Sequence, residues 1–248
     1  MVFRHLIVAL LASVAASQSR LAKTYTGWNW YVICVYFGPI LTWNRGYKLT
    51  SRQYRGAINV CDKNNNRLDR EAGRTSQSTC EGATSDTGFL CADYSPIPIS
   101  EDLSYGFAFH IGNDFTAENP NCCKCFEVQW VSGAAGDKNK RMVVQVVSPG
   151  GAGGDVVAGD LIIMTPGGGL GPVGSACRAQ HGSGYDWGDD YGGITDGPNC
   201  DRIPSDLQGG CYWRFNWAGG NINGWEAVYN QVACPSRLTD ISGCAVNP

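Results

Sequence analysis

Polar and apolar positions alternate along Lys124-Cys125-Phe126-Glu127-Val128-Gln129-Trp130-Val131. β-branched and aromatic residues dominate the stretch, and a period of two in that composition predicts a strand. Along such a strand Cys123 and Cys125 share a face while Cys122 points the other way. Three cysteines in four residues cannot bond one another without severe strain, so each needs a distant partner. A central strand stapled to three other parts of the chain is therefore expected. The run Arg141-Met142-Val143-Val144-Gln145-Val146-Val147 is almost continuously apolar and predicts a buried strand, joined to the first by the Gly133 to Lys140 turn as a hairpin. Further on, residues 156–165 are apolar apart from Gly159 and Asp160, and Pro166-Gly167-Gly168-Gly169 closes them. Cys211 to Trp217 predicts a strand with aromatics on both faces, and Val228 to Cys234 predicts another. Phe107 and Phe109 are expected in the core, behind a short helical turn capped by Ser100. Residues 61–95 are polar, with Asn-rich turns between spaced cysteines, as in a surface held by disulfides.

The amino-terminal part is patterned differently. Arg4 and His5 precede the apolar run Leu6 to Leu11 and then small residues, which predicts a secretory signal peptide over residues 1–17 and a secreted, extracellular protein. That run is too short to span a bilayer. Residues 28–41 are strongly apolar, interrupted by Gly38-Pro39, and read as a buried strand followed by a turn. Arg45 to Arg55 is basic and free of carboxylates, and the first acidic residue of the whole chain is Asp62. Codons for Trp30-Tyr31-Val32 can contain GTATGT, a splice-donor-like string. The run from about residue 30 to 55 thus has two readings, a genuinely altered segment or translated noncoding sequence.

Composition narrows the chemistry. The 248 residues include 12 Cys, 33 Gly and 11 Pro, so short strands, long loops and many disulfides are expected. A net charge of −3 suggests no polyanion, and nucleic acid is not an expected partner. Only His5, His110 and His181 occur. A histidine-based triad and a multi-histidine metal site are not expected, nor is any metal or other cofactor. Carboxylates on or beside strands, with many aromatics, suit carbohydrate: rings stack on sugars, and two carboxyls serve as acid and base. Trp28, Trp30, Tyr191 and Trp187 are the candidate sugar platforms.

Five segments in order carry a family resemblance: Cys61-Asp62-Lys63-Asn64-Asn65-Asn66-Arg67-Leu68, Tyr105-Gly106-Phe107-Ala108, Cys122-Cys123-Lys124-Cys125-Phe126-Glu127, Pro166-Gly167-Gly168-Gly169-Leu170-Gly171 and Cys211-Tyr212-Trp213-Arg214-Phe215. Over residues 58–244 the chain resembles glycoside hydrolase family 45, secreted endo-β-1,4-glucanases that share a double-psi β-barrel with expansins. The resemblance implies an all-β-dominated fold, a six-stranded double-psi barrel with long disulfide-linked loops and a few short helices. It implies a signal peptide (1–17), a divergent N-terminal segment (18–60) and a barrel domain (61–248). The implied partner is β-1,4-glucan, bound by a monomer without membrane attachment. The implied disulfides are Cys61–Cys91, Cys123–Cys244, Cys125–Cys234 and Cys200–Cys211. Three family cysteines near the N-terminus would pair with the residues here numbered Cys80, Cys122 and Cys177, but this chain offers only Cys34.

The resemblance also implies inverting hydrolysis by two carboxyls about 6.5–9.5 Å apart. Asp155, after Gly153-Gly154, matches the family's supporting carboxylate. Counting without gaps puts Ile162 at the general-acid position, and a two-residue shift puts Asp160 there; Asp160 is the candidate general acid. The general base should follow the segment matched by Tyr25-Thr26-Gly27-Trp28-Asn29-Trp30-Tyr31, where no Asp or Glu stands. The alternative expectation is a catalytically impaired, expansin-like glucan-binding or wall-loosening protein.

Overall fold

The computed structural model describes residues 19–28, 35–44, 47–68, 88–112, 120–171 and 175–245, with backbone only for 35–44, 47–57 and 175–176. Residues 1–17, where a signal peptide is expected, and Trp30, Cys34 and Cys80 lie outside the described residues.

Nine strands are present among the described residues: β1 Arg20–Gly27, β2 Val35–Asn44, β3 Tyr47–Ala57, β4 Ile97–Pro98, β5 Leu103–Gly112, β6 Cys125–Trp130, β7 Arg141–Gly151, β8 Leu161–Met164 and β9 Trp225–Val232. Six of them run β5-β7-β6-β9-β1-β8, and β8 returns to β5, so the sheet closes on itself; β4 adds to the outer edge of β5. β5–β7 and β1–β8 pair in parallel, while β6–β7, β6–β9, β1–β9 and β5–β8 pair antiparallel. This is the double-psi barrel expected. Closure leaves the six strands without free edges. Val128, Met142, Val144, Val146, Leu161 and Ile163 are completely buried and fill the interior. β7 is buried along nearly its whole length, as its near-continuous apolar pattern requires.

The disulfides are Cys61–Cys91, Cys123–Cys244, Cys125–Cys234 and Cys200–Cys211, the pairs that the resemblance implies. Cys123 and Cys125 bind the start of β6 to the carboxy-terminal segment, across separations of 121 and 109 residues. Cys122 is disulfide-bonded as well, to a partner outside the described residues. Cys177 is a buried free thiol whose Sγ donates to Trp28 O at 3.6 Å. Burial pushes that thiol far above the usual range.

Three local expectations change. Cys211 to Trp217 is helical, not a strand: helix Ser205–Tyr212 continues into a π-helical turn over Trp213–Ala218. Leu207, Gly210, Cys211, Arg214, Trp217 and Ala218 are among its buried positions, a spacing of three and four. The aromatic content favours a strand, and the helical spacing prevails because Trp213 and Trp217 stack at 5.3 Å and bond to Ser104 and the Ser100 carbonyl. Ser100 closes a tight turn rather than capping a helix; its Oγ accepts from Leu103 N at 3.1 Å. Finally, Arg20–Gly27, placed by the sequence in the divergent segment, is a barrel strand paired on both sides. The chain leaves the barrel after Trp28 and returns at Ile58, each 1 % exposed. Between them β2 and β3 form a separate two-stranded sheet.

Candidate active site

The site is built on β1 and β8. Their parallel register sets Tyr25 beside Ile162 and Gly27 beside Met164. Ile162 occupies the position that ungapped counting assigns to the acid, and it has no ionisable proton to give. Two residues earlier, Asp160 is 2 % exposed. Its Oδ1 accepts from Lys23 N at 2.8 Å and its Oδ2 from Val157 N at 2.9 Å. Both oxygens are thus engaged by backbone, and the carboxylate ties β1 to the loop before β8. That is the geometry of an anchor, with each carboxylate oxygen already accepting one backbone N–H. Beneath it, Tyr229 donates to Gly159 O at 3.0 Å, and His110 Nε2 lies 3.3 Å from the Tyr229 hydroxyl and 3.1 Å from Asn121 Nδ2. Burial, with the Arg20 charge nearby, holds His110 below the ordinary histidine range.

Asp155, five residues before Asp160, is exposed. It sits on a turn closed by reciprocal bonds between Gly153 and Val156, at 3.0 and 3.1 Å. Gly154 takes φ +60, the left-handed conformation that glycine adopts without strain. The Tyr25 hydroxyl donates to the Asp155 carbonyl at 3.0 Å. Partial burial, then the charges of Asp160 and Asp155, push the Tyr25 phenol above its usual value, further from ionisation, and it acts as a donor.

The other end of β1 meets the triglycine turn. Trp28 N donates to Gly169 O at 3.1 Å, and Thr165 N donates to Gly27 O at 2.9 Å. A Cβ on Gly169 would lie 2.5 Å from Asp190 O and 2.7 Å from Gly192 N, so only glycine lets the 189–193 loop approach this closely. Arg214, fully buried, donates to Gly167 O at 2.7 Å and reaches Thr26 Oγ1 and Gly192 O at 3.5 Å. Desolvation lowers its pKa to about 10, so it stays a cation at neutral pH. Asn223 Oδ1 accepts from Thr26 N at 2.6 Å and from Thr26 Oγ1 at 2.9 Å. Arg214 and Asn223 together lock β1, the triglycine turn and the Tyr191 loop into one wall. Tyr25, Arg214 and Asn223 are site residues that the sequence does not single out. Tyr25 and Arg214 lie within quoted segments, but nothing local marks Asn223.

Of the four platform candidates, Tyr191 is 77 % exposed, whereas Trp28 and Trp187 are 1 % and 4 % exposed. Trp187 packs on His181, with ring centroids 5.7 Å apart. A ring buried on both faces offers none to a sugar, so Trp28 and Trp187 are core residues here. Among the described residues the seam thus offers an exposed carboxylate at Asp155 at one end of β1 and, at the other, the exposed aromatic Tyr191 beside the exposed carboxylates Asp189 and Asp190. Among the described residues, no three His, Cys, Asp or Glu stand together so as to hold a metal ion, and no helix is long and apolar enough to cross a membrane.

Comparison with known proteins gives a consistent outcome. The profile of glycosyl hydrolase family 45 matches residues 49–245. An endoglucanase of Cryptopygus antarcticus is 32 % identical over 77 % of this chain and 79 % of its own. A putative endoglucanase type K of Fusarium oxysporum is 36 % identical over 77 % of this chain, which spans only 48 % of that protein's length. The crystal structure of a cellulase from the Antarctic springtail Cryptopygus antarcticus superposes with a TM-score of 0.68 at 29 % identity, covering 93 % of this chain and 99 % of that one.

Proposed function

The chain belongs to glycosyl hydrolase family 45, and on that premise we propose that it is a secreted, monomeric protein acting on β-1,4-glucan as an endoglucanase. Asp155 is the proton donor to the glycosidic oxygen, and Asp160 anchors the loop that carries it. The observation behind this assignment is the contrast between the two carboxylates: Asp155 exposed, Asp160 2 % exposed and bonded through both oxygens. Inversion requires a second carboxylate about 6.5–9.5 Å away to activate water. No Asp or Glu precedes Asp62. An amide or phenol is a poor substitute for a carboxylate base at neutral pH. Hydrolysis by this chain is therefore expected about 10²–10⁴-fold slower than with both groups present.

That same deficit favours a second reading, an expansin-like protein that binds glucan without cutting it. Reducing-end release from carboxymethylcellulose separates the two. Slow but measurable release that scales with protein supports the endoglucanase. No release, with sedimentation on insoluble cellulose, supports the binder, and release at rates normal for two-carboxylate enzymes overturns the expected deficit. In either reading Tyr191 stacks on a sugar ring. Tyr191→Ala is expected to weaken binding of soluble β-glucan about 5- to 30-fold, as measured by affinity electrophoresis.

A further inference from the structure

We propose that Tyr25 is the positioning residue of Asp155: its phenol fixes, from a rigid barrel strand, the turn that presents the carboxylate to glucan. The proposal rests on the reading of Asp155 as the proton donor. Tyr25 lies within β1, whose backbone is held by β8 through the Tyr25–Ile162 register and by β9 through Thr24–Trp225. The Asp155 turn has no comparable support. Nothing lies within 4 Å of where a Cβ would stand on Gly153 or Gly154. Two adjacent glycines leave the backbone with the widest choice of conformations, so packing does not define this turn.

The ties that do hold it are few. The turn closes on itself between Gly153 and Val156, Ala152 N before it donates to Gly112 O at the end of β5 at 3.2 Å, and Val157 N donates to Asp160 Oδ2 at 2.9 Å. The Tyr25 hydroxyl bonds to the Asp155 residue itself, at its carbonyl, at 3.0 Å. Among these ties it is the nearest to the carboxylate in the chain and the one that a side chain of a barrel strand makes. A misplacement of about 1 Å in a catalytic group costs on the order of 10²-fold in rate, so a bond of this kind acts on turnover more than on affinity. The phenol is a donor throughout the neutral range, and partial burial, then the neighbouring carboxylates, raise its pKa further.

Tyr25→Phe keeps the ring and removes the tether. On soluble mixed-linkage glucan the variant is expected to lose about tenfold in kcat with KM within about twofold. In an Asp155→Asn background, Tyr25→Phe is expected to cost nothing further, because the residue acts through Asp155. Amide exchange at Val156 and Val157 is expected to quicken about three- to tenfold, a readout that needs no catalysis. Unchanged exchange together with unchanged kcat overturns the proposal, as does a loss that adds to that of Asp155→Asn. If Asp155→Asn alone leaves turnover intact, the reading of Asp155 falls instead. Faster exchange in Tyr25→Phe would then show a tether without a catalytic purpose, which also ends the proposal.

Discussion

Asp155→Asn lowers reducing-end release from soluble β-glucan about 10²–10⁴-fold, the usual contribution of a positioned general acid. The variant keeps the shape of the side chain and the backbone contacts of the turn. The Tyr25 bond goes to the Asp155 carbonyl, so it survives the substitution. The Asp155 side chain is exposed, and exposed substitutions of this kind change stability by less than about 0.5 kcal/mol. Tm should therefore stay within about 2 °C, and binding of glucan oligomers should change little. The pattern sought is a fall in kcat alone. A fall in KM-limited binding with kcat intact would make Asp155 a substrate contact, and an unchanged rate would remove it from the reaction.

How much of this arrangement can be read from the chain depends on the range of the interactions that create it. β6 and β7 are legible because their alternating and continuous apolar patterns match the one- and two-sided burial they find. β1 is not legible, because its inward positions are Ala22, Thr24 and Thr26 while Leu21 is 68 % exposed, the reverse of a hydrophobic code. The inward threonines are satisfied by distant partners: Thr24 Oγ1 receives Trp130 Nε1–H at 2.9 Å and donates toward Ile222 O and Trp225 O. Only the closed barrel brings those groups together. The helical Cys211 to Trp217 stretch carries its three-and-four spacing in plain view, and β-propensity of the aromatics obscures it. At the site, the triglycine turn and Asp155 are legible as motifs. The burial of Trp28 and Trp187 is not, since an aromatic-rich loop reads alike whether its rings face solvent or core. Asn223 is silent in the sequence because its partner, Thr26, lies 197 residues away.

Asp160 presents the same difficulty in its sharpest form, for a strand-end Asp before an apolar run is equally an acid or an anchor until Lys23 N, 137 residues away, is found on its Oδ1. The two roles predict opposite results for Asp160→Asn. An acid would lose turnover and keep its stability. The anchor loses stability, for a definite reason. Two backbone N–H groups converge on the carboxylate, and Asn offers one acceptor oxygen and an NH₂ that donates where an acceptor is needed. One charge-assisted bond is lost and one buried N–H is left unpaired, at a combined cost of about 2–4 kcal/mol. In a domain of this length that is a Tm lower by about 5–15 °C. Because Val157 N is one of the two donors, the Asp155 turn loosens too, and turnover per folded molecule falls by up to about tenfold. Thermal unfolding and active-site-normalised kinetics on one preparation separate the outcomes. An unchanged Tm with turnover down by about 10²-fold or more, on the scale of general-acid loss, would return the acid's role to Asp160 and leave Asp155 as its support.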